Sequence, residues 1–116
     1  MTLRGALFIS LVCIGLPLDA NPLVEPRVKD VSFEIRFADH RFTPQTLVVP
    51  AGQPLVLTVV NSSHERIEFE SFTLNREKVV GPGETITVRL PALHPGSYDF
   101  FDDFHRDVPE GEILAK

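Results

Sequence analysis

The chain has 116 residues, a formal net charge of −5, one cysteine, one methionine and no tryptophan. That length holds a single domain, and an acidic balance without basic patches excludes a nucleic-acid-binding surface. Hydrophobic residues at 43%, with ten prolines and seven glycines set between short apolar runs, favour strands and turns over helices.

Residues 1–20 read as a secretory signal. Arg4 supplies the positive start, Gly5 to Leu16 is an uncharged apolar stretch, and Leu18-Asp19-Ala20 is a cleavage site of the small-residue kind. The stretch is shorter than the roughly 20 apolar residues a transmembrane helix needs, so a retained anchor is the lesser alternative. Cleavage after Ala20 removes both Met1 and Cys13. The mature chain then has no disulfide, no thiolate and no thioether with which to hold a metal. It is expected to be exported, with no stable membrane insertion after cleavage.

Residues 21–30 form a leader into a domain at 31–116. Val31 to Phe37 alternates apolar and polar residues, the pattern of a half-buried strand. Phe42-Thr43-Pro44 makes a corner, Thr46 to Val49 a short strand, and Pro50 to Pro54 a turn. Leu55 to Val60 is apolar on both parities, which predicts a central strand. Asn61 to Glu65 is a loop, and Ile67 to Phe72 alternates again. Asn75 to Lys78 has the composition of one helical turn. Gly81-Pro82-Gly83 and His94-Pro95-Gly96 are turns that bracket Thr85 to Leu90; Tyr98 to Phe101 and Ile113-Leu114 complete the set. This predicts an all-β chain of about seven or eight strands arranged as a β-sandwich. Between Asp99 and Glu112 six acids face one arginine, a local net charge of −5 that equals the total for the chain. Such a run attracts cations, or simply solvates one end of the domain.

Three stretches, in order, resemble cupredoxins: Phe42-Thr43-Pro44 followed by Leu47 to Gln53, then Leu57-Thr58-Val59-Val60-Asn61, then Leu93 to Phe100. The resemblance implies a Greek-key, cupredoxin-like β-sandwich. It also implies four copper-ligand positions, of which one is kept. Glu68 stands near the first histidine, Asp102 at the cysteine, His105 at the second histidine, and Val108-Pro109-Glu110 where methionine is expected, with Gly111 at the turn glycine. Type-1 copper needs the thiolate, so that centre is excluded. The runs Asp39 to Pro44, Glu68 to Ser71 and Asn75 to Val80 are similar to the periplasmic cupredoxin-like component of Ftr-type ferrous iron transport systems, and to the EfeO-type cupredoxin domain. That resemblance implies a periplasmic protein that binds ferrous iron, with oxidation as a possible activity, and passes it to an iron permease alongside other periplasmic components.

The residues themselves offer a ligand set. Tyr98, Phe100 and Asp102 share one strand face, so Asp102 is expected to point toward the end of the core. A buried carboxylate needs a metal, a histidine or backbone N–H groups as its partner. His105, three residues on, is the strongest single ligand candidate. Glu68, Asp102 and His105 form the expected iron site. Glu70, on the same strand face as Glu68, and Asp103, which faces away from Asp102 in an extended chain, are lesser candidates. His40 precedes the corner near this site; His64 and His94 are expected to be exposed. Tyr98 and Asn61 are assigned structural roles, the first as the tyrosine of a sandwich corner and the second as a tether between loops. An iron-binding carrier fits these residues as well as an oxidase, because no electron acceptor is legible. The alternatives are a module for copper(II), not of type 1, or another divalent metal, and a metal-free docking domain for a basic partner.

Overall fold

The computed structural model describes residues 30–116. The expected signal sequence and the leader up to residue 29 lie outside the described residues. Among the described residues nine strands form: β1 (Val31–Ala38), β2 (Arg41–Thr43), β3 (Thr46–Val49), β4 (Leu55–Asn61), β5 (Ile67–Ser71), β6 (Arg76–Val80), β7 (Thr85–Leu90), β8 (Gly96–Asp102) and β9 (Gly111–Ala115). They make a four-stranded sheet in the order β2-β1-β4-β7 and a five-stranded sheet in the order β3-β9-β8-β5-β6. The pairs β1–β4 and β3–β9 are parallel and the others antiparallel. Among the described residues no helix is long and apolar enough to cross a membrane.

Local sequence explains most of this. In β1, Ile35 and Phe37 are buried while Ser32, Glu34 and Arg36 face outward. Apolar on both parities, β4 lies between β1 and β7. The count exceeds the expected seven or eight because two segments gain partners that sequence periodicity does not reveal. Arg41–Thr43, read as part of a corner, returns along β1 after the two-residue turn Asp39-His40. Both turn residues have positive φ, 52° and 55°, the type I′ geometry that matches strand twist. Asn75 to Lys78, expected to make a helical turn, instead reverses the chain at Asn75 (φ 53°) and enters β6. There Ile67 to Ser71 pairs with Val80 to Arg76 across the full length of both strands, and five residues of ladder outweigh one helical turn.

The core between the sheets is centred on four phenylalanines. Phe37 and Phe42 come from one sheet, Phe69 and Phe100 from the other. Phe42 meets Phe37 and Phe100 edge-on at 5.1 Å, and Phe69 lies 5.3 Å from Phe100. Each such contact contributes about 0.5–1.5 kcal/mol beyond area burial. Phe69 pairs with Asp102 across β5 and β8, so this cluster sets the end of the core where the candidate site residues sit.

Candidate metal centre

The five candidate ligands separate into two groups on opposite sides of the five-stranded sheet. Phe69 and Asp102 are register partners, and Phe69 points into the core. Asp102 therefore points inward as well, while its strand neighbours Glu68 and Glu70 on β5 point outward. Strand parity thus separates Glu68 from Asp102 and His105, and the expected three-residue ligand set does not assemble.

On the inner side, Asp102 is fully buried and fully bonded. Its Oδ1 accepts from the backbone N–H of Glu68 (3.0 Å) and of Phe104 (3.0 Å). Its Oδ2 lies 2.7 Å from His105 Nδ1. The carboxylate thereby fastens the loop after β8 to the start of β5, at the position where the cupredoxin resemblance expects a cysteine. His105 is held in one orientation, with Nε2 turned outward. The Asp102 hydrogen bond raises the pKa of His105 above its ordinary value, against the opposing effect of burial.

On the outer side, one carboxylate oxygen from each of Glu68, Glu70 and Asp103 lies within 4.8 Å of the other two. The loop bend at Asp102, fixed by the N–H of Asp103 donating to the Glu68 carbonyl at 3.0 Å, turns Asp103 over this face. A fourth acid, Glu77 on β6, sits opposite Glu70 in register. Glu68 carries the consequence. Hydrogen bonding to Glu77, burial, and repulsion by Glu77, Asp103 and Glu70 push its pKa up to about 7. Glu70 is also raised, first by burial and then by Asp103 and Glu77, with Arg106 opposing. Arg106 lies 3.5 Å from Asp103 and stacks 3.9 Å over the Phe101 ring, which also lies 5.2 Å from the Phe72 ring.

The remaining residues fall as follows. Buried Asn61 donates through Nδ2 to the carbonyls of Glu65, Val80 and Gly81, and accepts through Oδ1 from Ser63. Tyr98 donates to the His94 carbonyl at 2.8 Å, four residues upstream. His64 and His94 are exposed. The acidic run from Asp99 to Glu112 is not one patch: Glu112 accepts hydrogen bonds from Ser97 and Thr46, Glu110 pairs with Arg106, and Asp102 is internal. Sequence reasoning passed over Glu65. Its carboxylate lies 3.6 Å from His105 Nε2 and 3.8 Å from His40 Nδ1, and only the folding together of three loops reveals it.

The raised values fix a pH dependence. Glu68, Glu70 and His105 all bind protons more tightly in the folded than in the unfolded chain, so the folded state holds the extra protons and stability falls as pH rises through each window. The Glu68 window runs from 4.5 to about 7; that of His105 opens at 6.5. The urea midpoint of the metal-free protein is expected to fall from about pH 5 to about pH 8. Glu68→Gln flattens the lower part of that slope. A midpoint that is level or rises over the range contradicts the assignment.

A type-1 copper centre does not fit. The described residues contain no cysteine or methionine, and every hydrogen-bonding direction Asp102 uses is turned to protein donors.

Comparison with known proteins agrees with this architecture. The family model described as "Cupredoxin-like domain" matches residues 7–115. An uncharacterized protein of Rickettsia prowazekii (strain Madrid E) is 41% identical over 82 residues, covering 71% of this chain and 66% of that protein. Among solved structures, auracyanin A, a blue copper protein from Chloroflexus aurantiacus, superposes with a TM-score of 0.63 at 15% identity, over 76% of this chain and all of that one. The metal-binding domain of the Streptococcus pneumoniae D39 Cu(I)-exporting ATPase CopA gives 0.62 at 15% identity, over 73% and 84% of the two chains. Similarity at that level speaks to fold. Together with the two-sheet topology and the family match across nearly the whole length, it establishes that this chain belongs to the cupredoxin-like domain family.

Proposed function

We propose that the protein is a periplasmic metal-binding cupredoxin-like domain that takes up ferrous iron on Glu68, Glu70 and Asp103 and delivers it to the iron permease of an Ftr-type transport system. The observation that carries this reading is the convergence of the three carboxylates within 4.8 Å. The raised pKa of Glu68 comes first from its hydrogen bond to Glu77 and from burial, and then from repulsion by Glu77, Asp103 and Glu70; a cation bound between the carboxylates offsets that repulsion. Oxygen-only ligands suit hard cations, and three anionic oxygens hold ferric iron more tightly than ferrous. Bound ferrous iron then gives up one electron to an external oxidant such as dioxygen more readily than ferrous iron in buffer. The similarity of Glu68 to Ser71 and of Asn75 to Val80 to EfeO-type and Ftr-type sequences supports iron over other cations.

The test is anaerobic ferrous iron titration of the wild type, of Glu68→Gln/Glu70→Gln and of His105→Ala, followed by exposure to air. The wild type should bind one equivalent more than the double variant, and His105→Ala should keep that equivalent. Faster ferric formation than in buffer adds the oxidase activity. Equal binding by the double variant overturns the site. Preferential retention of copper(II) in competition supports a general divalent-metal module, and absence of stoichiometric metal leaves a docking domain.

A further inference from the structure

We propose a second metal site, chemically distinct from the carboxylate trio, formed by His40, Glu65 and His105 and suited to a first-row divalent cation of borderline softness, with zinc as its probe. The three residues come from three loops: the β1–β2 turn, the β4–β5 loop and the β8–β9 loop. Both imidazoles approach the same atom, Glu65 Oε2, from His105 Nε2 at 3.6 Å and from His40 Nδ1 at 3.8 Å. Neither distance is a hydrogen bond. Both are close to the spacing of ligands around one ion: two atoms each about 2.0–2.1 Å from a tetrahedral zinc lie roughly 3.3–3.4 Å apart. The two imidazole nitrogens themselves stand farther apart than the 4.8 Å that groups the outer carboxylates, so binding must swing the exposed His40 side chain toward His105.

The surroundings of these ligands support the assignment. Asp102, wholly buried, accepts a hydrogen bond from His105 Nδ1–H and leaves Nε2 as the atom free to ligate. This is the carboxylate–histidine arrangement that orients metal ligands and raises their basicity. Glu65 is presented by a fixed backbone: its carbonyl accepts from Asn61 Nδ2 at 2.7 Å, and its N–H donates to Ser63 Oγ at 3.2 Å. Among the described residues its carboxylate accepts no hydrogen bond, so it is free to ligate. A cleft of about 360 Å³ lined in part by His40 and Glu65 opens that side of the site to solvent. Two imidazoles and one carboxylate leave coordination positions for water or a further ligand, the donor set of an open rather than a closed centre. The site shares no ligand with the Glu68–Glu70–Asp103 group, so either stands without the other.

The experiment is zinc titration of the Glu68→Gln/Glu70→Gln protein, which removes the outer trio, followed by imidazole nitrogen NMR and calorimetry. One equivalent should bind, and the signals of His105 Nε2 and His40 Nδ1 should move together. Two variants remove a ligand without threatening the fold. His40→Gly leaves Asp-Gly in a type I′ turn, the pair this geometry prefers. Glu65→Gln keeps the backbone bonds that place residue 65. Each should weaken zinc binding by about 100-fold or more, and Asp102→Asn by about 10–100-fold, the cost of losing an outer-shell carboxylate. Zinc binding that is absent, unchanged in His40→Gly and Glu65→Gln, or without effect on the His105 signal overturns the proposal.

Discussion

Asp102→Ala is expected to destabilise the domain by about 3–4 kcal/mol. The change strips the partner from the N–H groups of Glu68 and Phe104 and from His105 Nδ1. Each buried donor left unsatisfied costs about 1–3 kcal/mol, with the more exposed ones partly rescued by water. For a domain of this size that lowers the melting temperature by roughly 15–25 °C. Asp102→Asn should cost far less. Its amide oxygen still accepts from the two backbone N–H groups, while its Nδ2 faces His105 Nδ1 and forces the proton to Nε2. The His105 pKa should then drop back from its raised value, since the Asp102 hydrogen bond is the main cause of the elevation. Thermal melts of both variants with a histidine NMR titration check this. Equal melting temperatures for Asp102→Ala and the wild type would show that the carboxylate does not hold the loop. The alanine variant is accordingly a poor probe of metal binding, because it loosens the loop that carries Asp103 and His105 together.

Gly111→Ala is expected to cost about 3 kcal/mol, the upper part of the range for overpacking a core. Gly111 faces Phe100 across β8 and β9. A Cβ there would overlap the Phe100 ring and stand 2.9 Å from the Gln45 carbonyl oxygen. Phe100 has no room to yield, since it is wholly buried between Phe42 and Phe69. The melting temperature should fall by roughly 12–20 °C. Gly52→Ala is the control. Its φ of 79° disfavours a side chain, but a Cβ meets nothing within 4 Å, so only the conformational penalty of about 1 kcal/mol remains. If the two variants melt together, the packing of Phe100 on Gly111 does not set the cost. The glycine at 111, placed by the cupredoxin resemblance in a turn, is thus required by an aromatic ring from the neighbouring strand.

Much of the fold was legible in the chain. The alternation in Val31 to Phe37 and Ile67 to Phe72, the apolar run of β4 and the proline–glycine turns all encode burial locally, because strand periodicity needs no knowledge of the partner. The absence of cysteine and methionine downstream of residue 13 removed type-1 copper by composition alone. The β6 strand escaped because Arg76 to Val80 has a polar, mostly exposed pattern, and only Ile67 to Ser71 alongside gives it a ladder.

The candidate site divides along the same line. Sequence alone determined that Asp102 and His105 lie three residues apart, that Glu68 and Glu70 share a strand face, and that the metal donors would be oxygen and imidazole. Which of them meet was decided by tertiary structure. The register of Phe69 with Asp102 sends Glu68 and Asp102 to opposite sides of the sheet. The loop bend carries Asp103 to the outer acids, and the closure of three loops sets Glu65 between His40 and His105. The physical reason is that ligand geometry depends on contacts between residues distant in the chain, fixed by strand pairing and by the buried bonds of Asn61 and Asp102, which local periodicity does not specify.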